Sequence, residues 1–67
     1  MMSIAKVIEI SADSTTSFED AIKQGTKTAC EKLDNVRSCW VKDFEVKVSD
    51  GKITSYRVWL KVTFQLR

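Results

Sequence analysis

A chain of 67 residues has room for one small core and buries a low share of its surface, so it is marginal as an isolated unit. Its 11 basic and 9 acidic side chains leave a net charge of +2, too even a balance to point to nucleic acid. The absence of histidine excludes an imidazole base, and two cysteines and two glycines argue against a disulfide framework, a zinc site and a glycine-rich phosphate loop.

Small scaffolds without disulfides or a metal gain stability by oligomerising, which is the expectation here. No apolar run reaches membrane-spanning length, and Met1-Met2-Ser3-Ile4 does not open a secretory signal. The chain reads as a single domain over 1–67, soluble and cytoplasmic, with Cys30 and Cys39 as reduced, partly buried thiols. Neither a nucleic acid nor a membrane is expected as a partner.

The stretch Ile4 to Ile10 is rich in β-branched residues, with Ile4, Ile8 and Ile10 on one face, and predicts a strand. The small polar cluster Ser11 to Thr16 predicts a loop. A helix follows. Thr16 and Ser17 each offer an N-cap hydroxyl with an acid three residues on, and Thr16 with Glu19 makes the better capping box. Phe18, Ala21, Ile22, Gly25, Ala29 and Leu33 recur at spacings of a buried stripe, while Lys23, Lys27 and Glu31 point outward. A glycine on that stripe lets the helix backbone lie close to a sheet. Asp34-Asn35 ends the helix.

The rest, from about Arg37 to Arg67, predicts a hairpin turning at Asp50-Gly51, a type I′ signal. Ser49 then pairs with Lys52, and the register runs on to place Phe44 opposite Arg57 and Trp40 opposite Lys61. Tyr56, Val58, Leu60, Val62, Phe64 and Leu66 form one apolar face, joined by Cys39 and Val41. Ser38, Trp40, Lys42 and Phe44 share the other face with Arg57, Trp59, Lys61 and Thr63. A bulge would shift this register locally. The fold class is α+β: β-α-β-β, with a three-stranded antiparallel sheet on one amphipathic helix. One helix covers one face, so the face of Trp40, Phe44 and Trp59 needs a partner chain or a ligand.

Catalysis has little support. Neither cysteine has an activating partner in sequence, and a thiol-dependent activity at Cys30 or Cys39 ranks last. The surface of Trp40, Phe44, Arg57, Trp59 and Lys61 suits a flat heteroaromatic ligand, because indoles stack and cationic side chains donate to carbonyl or phosphate oxygens. The same aromatics and Arg are also typical of subunit interfaces, the reading that composition favours. Asp13, Asp34, Asp43, Glu45 and Asp50 lack the spacing of a calcium loop and read as solvated carboxylates.

Several segments together resemble the dodecin family: Lys6-Val7-Ile8-Glu9-Ile10, Ser17-Phe18-Glu19-Asp20-Ala21-Ile22, Leu33-Asp34-Asn35-Val36, the hairpin turn, and the closing run Val58 to Leu66. The resemblance implies a protomer whose sheet wraps its helix, twelve of which form a hollow homododecamer. It also implies riboflavin or FMN held between subunits for storage or sequestration, without turnover. A Trp on the second strand stacks on the flavin in that family, and a Gln on the third strand bonds its polar edge. These positions fall on Ser38 and Arg57. Trp40, two residues along, is a substitute stacking candidate, but Arg57 cannot supply both the donor and the acceptor of an amide. Gly51-Lys52-Ile53-Thr54, Tyr56-Arg57 and the basic Arg67 are more similar to the calcium dodecin branch, which lacks the stacking Trp. The leading expectation is a non-enzymatic protein binding a flavin against Ser38, Trp40, Arg57 and Trp59. The alternative is a flavin-free shell that binds calcium or serves as a scaffold.

Overall fold

The structure is a computed structural model and describes residues 4–66. Val58, Leu60 and Val62 alternate along the last strand and are fully buried, which makes that strand the centre of the sheet. The elements are β1 (Ala5–Ser14), α1 (Phe18–Lys32), β2 (Val36–Ser49) and β3 (Lys52–Gln65), with sheet order β1-β3-β2 and antiparallel pairing throughout. Ile8, Ile10, Ala12, Cys39 and Val41 pack beside the central triplet. Ala21 and Ala29 press on it from the helix. The expected β-α-β-β order is therefore present, although Arg67 at the chain end lies outside the described residues.

Gly25 fits the expected close approach. A β-carbon there would meet Leu60 Cδ1 at 2.9 Å and Ala12 Cβ at 3.0 Å. At the hairpin, Asp50 (φ 51°) and Gly51 (φ 74°) both adopt positive φ, the type I′ geometry expected from the sequence. Asn35 at φ 61° turns the chain out of the helix, a conformation asparagine tolerates better than most residues.

Four expectations need correction. The stretch assigned as a loop from Ser11 is strand as far as Ser14, because alternation continues through Ala12 to a buried Ser14 and all ten residues pair with β3. The cap is Ser17, not Thr16: the Ser17 hydroxyl accepts the Asp20 N–H at 3.0 Å. Ser14 fixes this choice by accepting the Thr16 and Ser17 N–H groups and donating its own hydroxyl to Asp20 at 2.6 Å.

The third correction concerns register. It starts as expected with Ser49 opposite Lys52, but Thr54 is left unpaired on β3, and from there Phe44 faces Val58 instead of Arg57. Lys42, unpaired on β2, restores the original phase, and Trp40 faces Lys61 as expected. Between these two bulges every β2 side chain is inverted relative to the simple register. Phe44 therefore lies on the helix side, edge-on to Phe18 at 5.0 Å, and Tyr56 meets Phe18 at 5.2 Å. Cys30 is exposed on the helix and is not the buried thiol expected; Cys39 is half-buried.

Candidate functional site

The sheet face away from α1 is built in rows, each with a β3 residue between one from β1 and one from β2. They run Asp13–Arg57–Glu45, Ser11–Trp59–Asp43, Glu9–Lys61–Trp40 and Val7–Thr63–Ser38. All four candidate residues, Ser38, Trp40, Arg57 and Trp59, fall on this face. Phe44 does not, and Asp43 and Glu45 stand there instead. Acids thus flank Arg57 from both neighbouring strands and Lys61 from β1 alone.

Arg57 is held in place by these acids. Its Nε donates to Asp13 Oδ1 at 2.7 Å and its Nη2 to Asp13 Oδ2 at 3.1 Å, a bidentate pair. Nη1 lies 3.8 Å from Glu45 Oε1 on the other side. The guanidinium carbon sits 5.8 Å from the centre of the Trp59 ring, and the indole N–H donates to Glu45 Oε1 at 3.4 Å. The result is a closed group in which Arg57, Asp13, Glu45 and Trp59 satisfy one another. Trp40 is different. It is 66% exposed, and its main polar neighbour is the Lys61 ammonium, 5.4 Å from the ring centre. Lys42 reaches across the sheet to Glu9 at 3.4 Å.

The hydrogen bond from Arg57 is the largest influence on Asp13 and holds its carboxyl below the ordinary 3.8, against a smaller opposing effect of desolvation. The same bond raises the pKa of the Arg57 guanidinium above its ordinary value. A carboxyl with a depressed folded pKa contributes stability above its unfolded pKa and loses it as pH falls through the folded value. Denaturant midpoints measured through the acid range should therefore separate wild type from Asp13→Asn at neutral pH. The two should converge below the depressed Asp13 pKa. Curves that stay parallel throughout would show that the pair adds nothing.

Sequence reasoning found Arg57 but missed its partners. Asp13 falls in the stretch expected to be a loop, and Asp13 and Glu45 both read from sequence as solvated surface carboxylates. The alternation Ile8, Ile10, Ala12, Ser14 was the available signal that β1 continues and carries Asp13 onto the outer face. Among the described residues, no three of His, Cys, Asp and Glu come together to hold a metal ion. Asp34 and Asp50 lie in the turn after α1 and in the hairpin turn, away from the outer-face carboxylates. No helix of the described residues is long and apolar enough to cross a membrane.

This architecture and its sequence match a known family. The family model described as Dodecin aligns with residues 4–67. The chain belongs to the dodecin family. Among its relatives, the calcium dodecin of Mycobacterium tuberculosis is 40% identical over 67 residues, covering 98% of this chain and 93% of that protein. The crystal structure of that calcium dodecin, described as calcium chelating and as having a novel calcium-binding site, superposes with a TM-score of 0.83 at 36% identity, over 97% of this chain and 93% of the other. The dodecin from Streptomyces davaonensis superposes at 0.90 with 28% identity, over 97% and 96% of the two chains. The dodecin protomer fold is thus shared in full, while the higher identity is to the relative named for calcium.

Proposed function

We propose that this dodecin is a non-catalytic, self-assembling binding protein whose ligand is calcium rather than flavin. Arg57 carries the reading. A flavin edge at the position the family resemblance assigns would need its donors, and these are committed to Asp13 and Glu45. Trp59 is engaged by the same group. Ser38, at the other flavin-contact position, has no ring to stack. The 40% identity to a calcium dodecin supports the same choice.

Calcium takes about 6–8 oxygen ligands. One protomer does not bring three carboxylates together among its described residues, so the ion would draw on more than one copy. Assembly, with the homododecamer as the form the resemblance implies, supplies those copies and covers strand edges that are otherwise prone to aggregate. A cytoplasmic setting would keep the thiols of Cys30 and Cys39 reduced. A flavin reading keeps one observation in its favour, the exposed indole of Trp40 beside Lys61.

One pair of titrations separates the two. Chelator-stripped protein titrated with calcium in a calorimeter should show binding that a chelator reverses. FMN or riboflavin added to micromolar protein should keep its full fluorescence. Saturable quenching of flavin, with no calcium heat, would overturn the proposal. Loss of that quenching in Trp40→Ala would then assign the flavin to Trp40.

A further inference from the structure

Asp50-Gly51 is the one Asp-Gly step in the chain, and it forms the tip of the β2–β3 hairpin. Such a step has chemistry of its own. The Gly51 amide nitrogen attacks the side-chain carboxyl carbon of Asp50 in its protonated form. A C–N bond forms, and the amide proton leaves with the carboxyl hydroxyl as one water. The product is a cyclic succinimide. Water then adds back to either ring carbonyl. Opening one C–N bond restores aspartate. Opening the other leaves an isoaspartyl link, in which the main chain runs through Asp50 Cβ. The atoms balance overall, and water is the only co-reactant.

The fold leaves this reaction open at Asp50. Both turn residues are exposed, and among the described residues neither the Asp50 carboxylate nor the Gly51 N–H has a hydrogen-bond partner. The type I′ ladder engages Ser49 and Lys52 instead. A β-carbon on Gly51 would meet nothing within 4 Å, so no group shields the attacking nitrogen. Only two residue pairs, Val48–Ile53 and Ser49–Lys52, lie beyond the unpaired Thr54, and all four residues are exposed. So short an end of ladder opens locally at low cost, which frees the Asp50 backbone to turn for ring closure.

The other aspartates are held back. Asp13 is in a bidentate pair with Arg57 and precedes the buried Ser14. Asp20 lies inside α1 and accepts from Ser14 and Gln24. Asp34 and Asp43 precede Asn35 and Phe44, whose side chains crowd the following nitrogen as no glycine does.

We propose that Asp50-Gly51 is a self-modifying site, which converts with time to an isoaspartyl link and thereby unpairs the tip of the hairpin. A two-residue type I′ loop closes with both central residues at positive φ, here 51° at Asp50 and 74° at Gly51. An extra main-chain carbon at Asp50 breaks that closure, and Ser49–Lys52 and Val48–Ile53 lose their register. The damage stops at Thr54, whose hydroxyl donates to the Lys47 carbonyl at 3.2 Å and closes the bulge. The modified tip presents a free α-carboxylate in an exposed turn. That is the substrate class of an isoaspartyl methyltransferase, which moves a methyl from S-adenosylmethionine to the carboxylate oxygen and releases S-adenosylhomocysteine.

The test ages the full-length protein for weeks at neutral pH, in ordinary and in heavy-oxygen water, before cleavage with trypsin. The peptide Val48 to Lys52 should gain a second chromatographic form. Its mass should be unchanged in ordinary water and raised by one heavy oxygen in the other. The intact aged protein should accept labelled methyl from an isoaspartyl methyltransferase. Asp50→Gly removes the carboxyl while its Gly-Gly pair keeps a favoured type I′ turn, and it should show neither signal. Asp50→Asn should react faster through the same imide, releasing ammonia. Amide exchange in the isolated isomer should quicken over residues 48–53 and stay slow at Val58, Leu60 and Val62. An aged wild type without the isomer would overturn the proposal, whether or not a urea-unfolded sample forms it. A methyl label that Asp50→Gly retains would place the reaction elsewhere and overturn it too. An isomer whose tip exchanges no faster than wild type would overturn the unpairing of the hairpin.

Discussion

Leu60→Ala should unfold the isolated protomer or bring it to the edge of unfolding. Leu60 is fully buried, pairs with Ile10 and Val41 across both neighbouring strands, and lies under Gly25 of the helix. Truncating such a leucine costs about 2–5 kcal/mol, combining lost transfer energy with the cavity left behind. At roughly 0.05–0.15 kcal/mol per residue, a chain of this length has about 3–10 kcal/mol in total. Urea midpoints at several protein concentrations measure the effect and separate protomer stability from any contribution of assembly. Leu66→Ala is the control, because Leu66 is 47% exposed and surface changes rarely exceed about 0.5 kcal/mol. Equal losses in the two variants would show that the core is not centred on β3.

Gly25→Val should be nearly as damaging, for the opposite reason. The added β-carbon would lie 2.9 Å from Leu60 Cδ1 and 3.0 Å from Ala12 Cβ. The leucine methyl can turn aside, but the alanine carbon moves only with the backbone of β1. Overpacking of this kind costs about 1–3 kcal/mol, and the two further methyls of valine should take it to about 3 kcal/mol or more. Gly25→Ala is expected to be much milder, since alanine gains about 1 kcal/mol of helix propensity over glycine and offsets part of the crowding. Thermal unfolding should therefore rank wild type close to Gly25→Ala and well above Gly25→Val. An alanine variant as damaged as the valine one would mean that the helix cannot move off β1 at all.

Much of this protomer was legible in its sequence, because its signals are local. The alternation of Val58, Leu60 and Val62, the helical spacing of Ala21, Gly25 and Ala29, and Asp50-Gly51 each depend on residues a few positions apart. They sufficed for element order and for the buried set. What was not legible depends on distant pairing. Nothing local marks Thr54 and Lys42 as the residues that β3 and β2 each leave unpaired, so Phe44 could not be moved to the helix side in advance. The Thr16 and Ser17 hydroxyls are adjacent in sequence, and only the position of Ser14 at the end of a longer β1 decides between them. The site followed the same division. Ser38, Trp40, Arg57 and Trp59 share a face because period-two alternation says so. The partner of Arg57 is 44 residues away, at Asp13, and emerged only when β1 was paired.

The bulges have a further consequence for solubility. On β2, the unpaired residues Arg37 and Lys42 interrupt the ladder and place a charged side chain at each break. An irregular, charged edge is a poor template for another strand. On β1 the ladder to β3 is regular through all ten residues, from Ala5 to Ser14, with neither bulge nor proline. The two borders of the sheet are therefore unequal in their protection. Single protomers would be vulnerable to misassociation along β1 in particular. A lysine at Ser11 would then protect that border and keep single chains in solution.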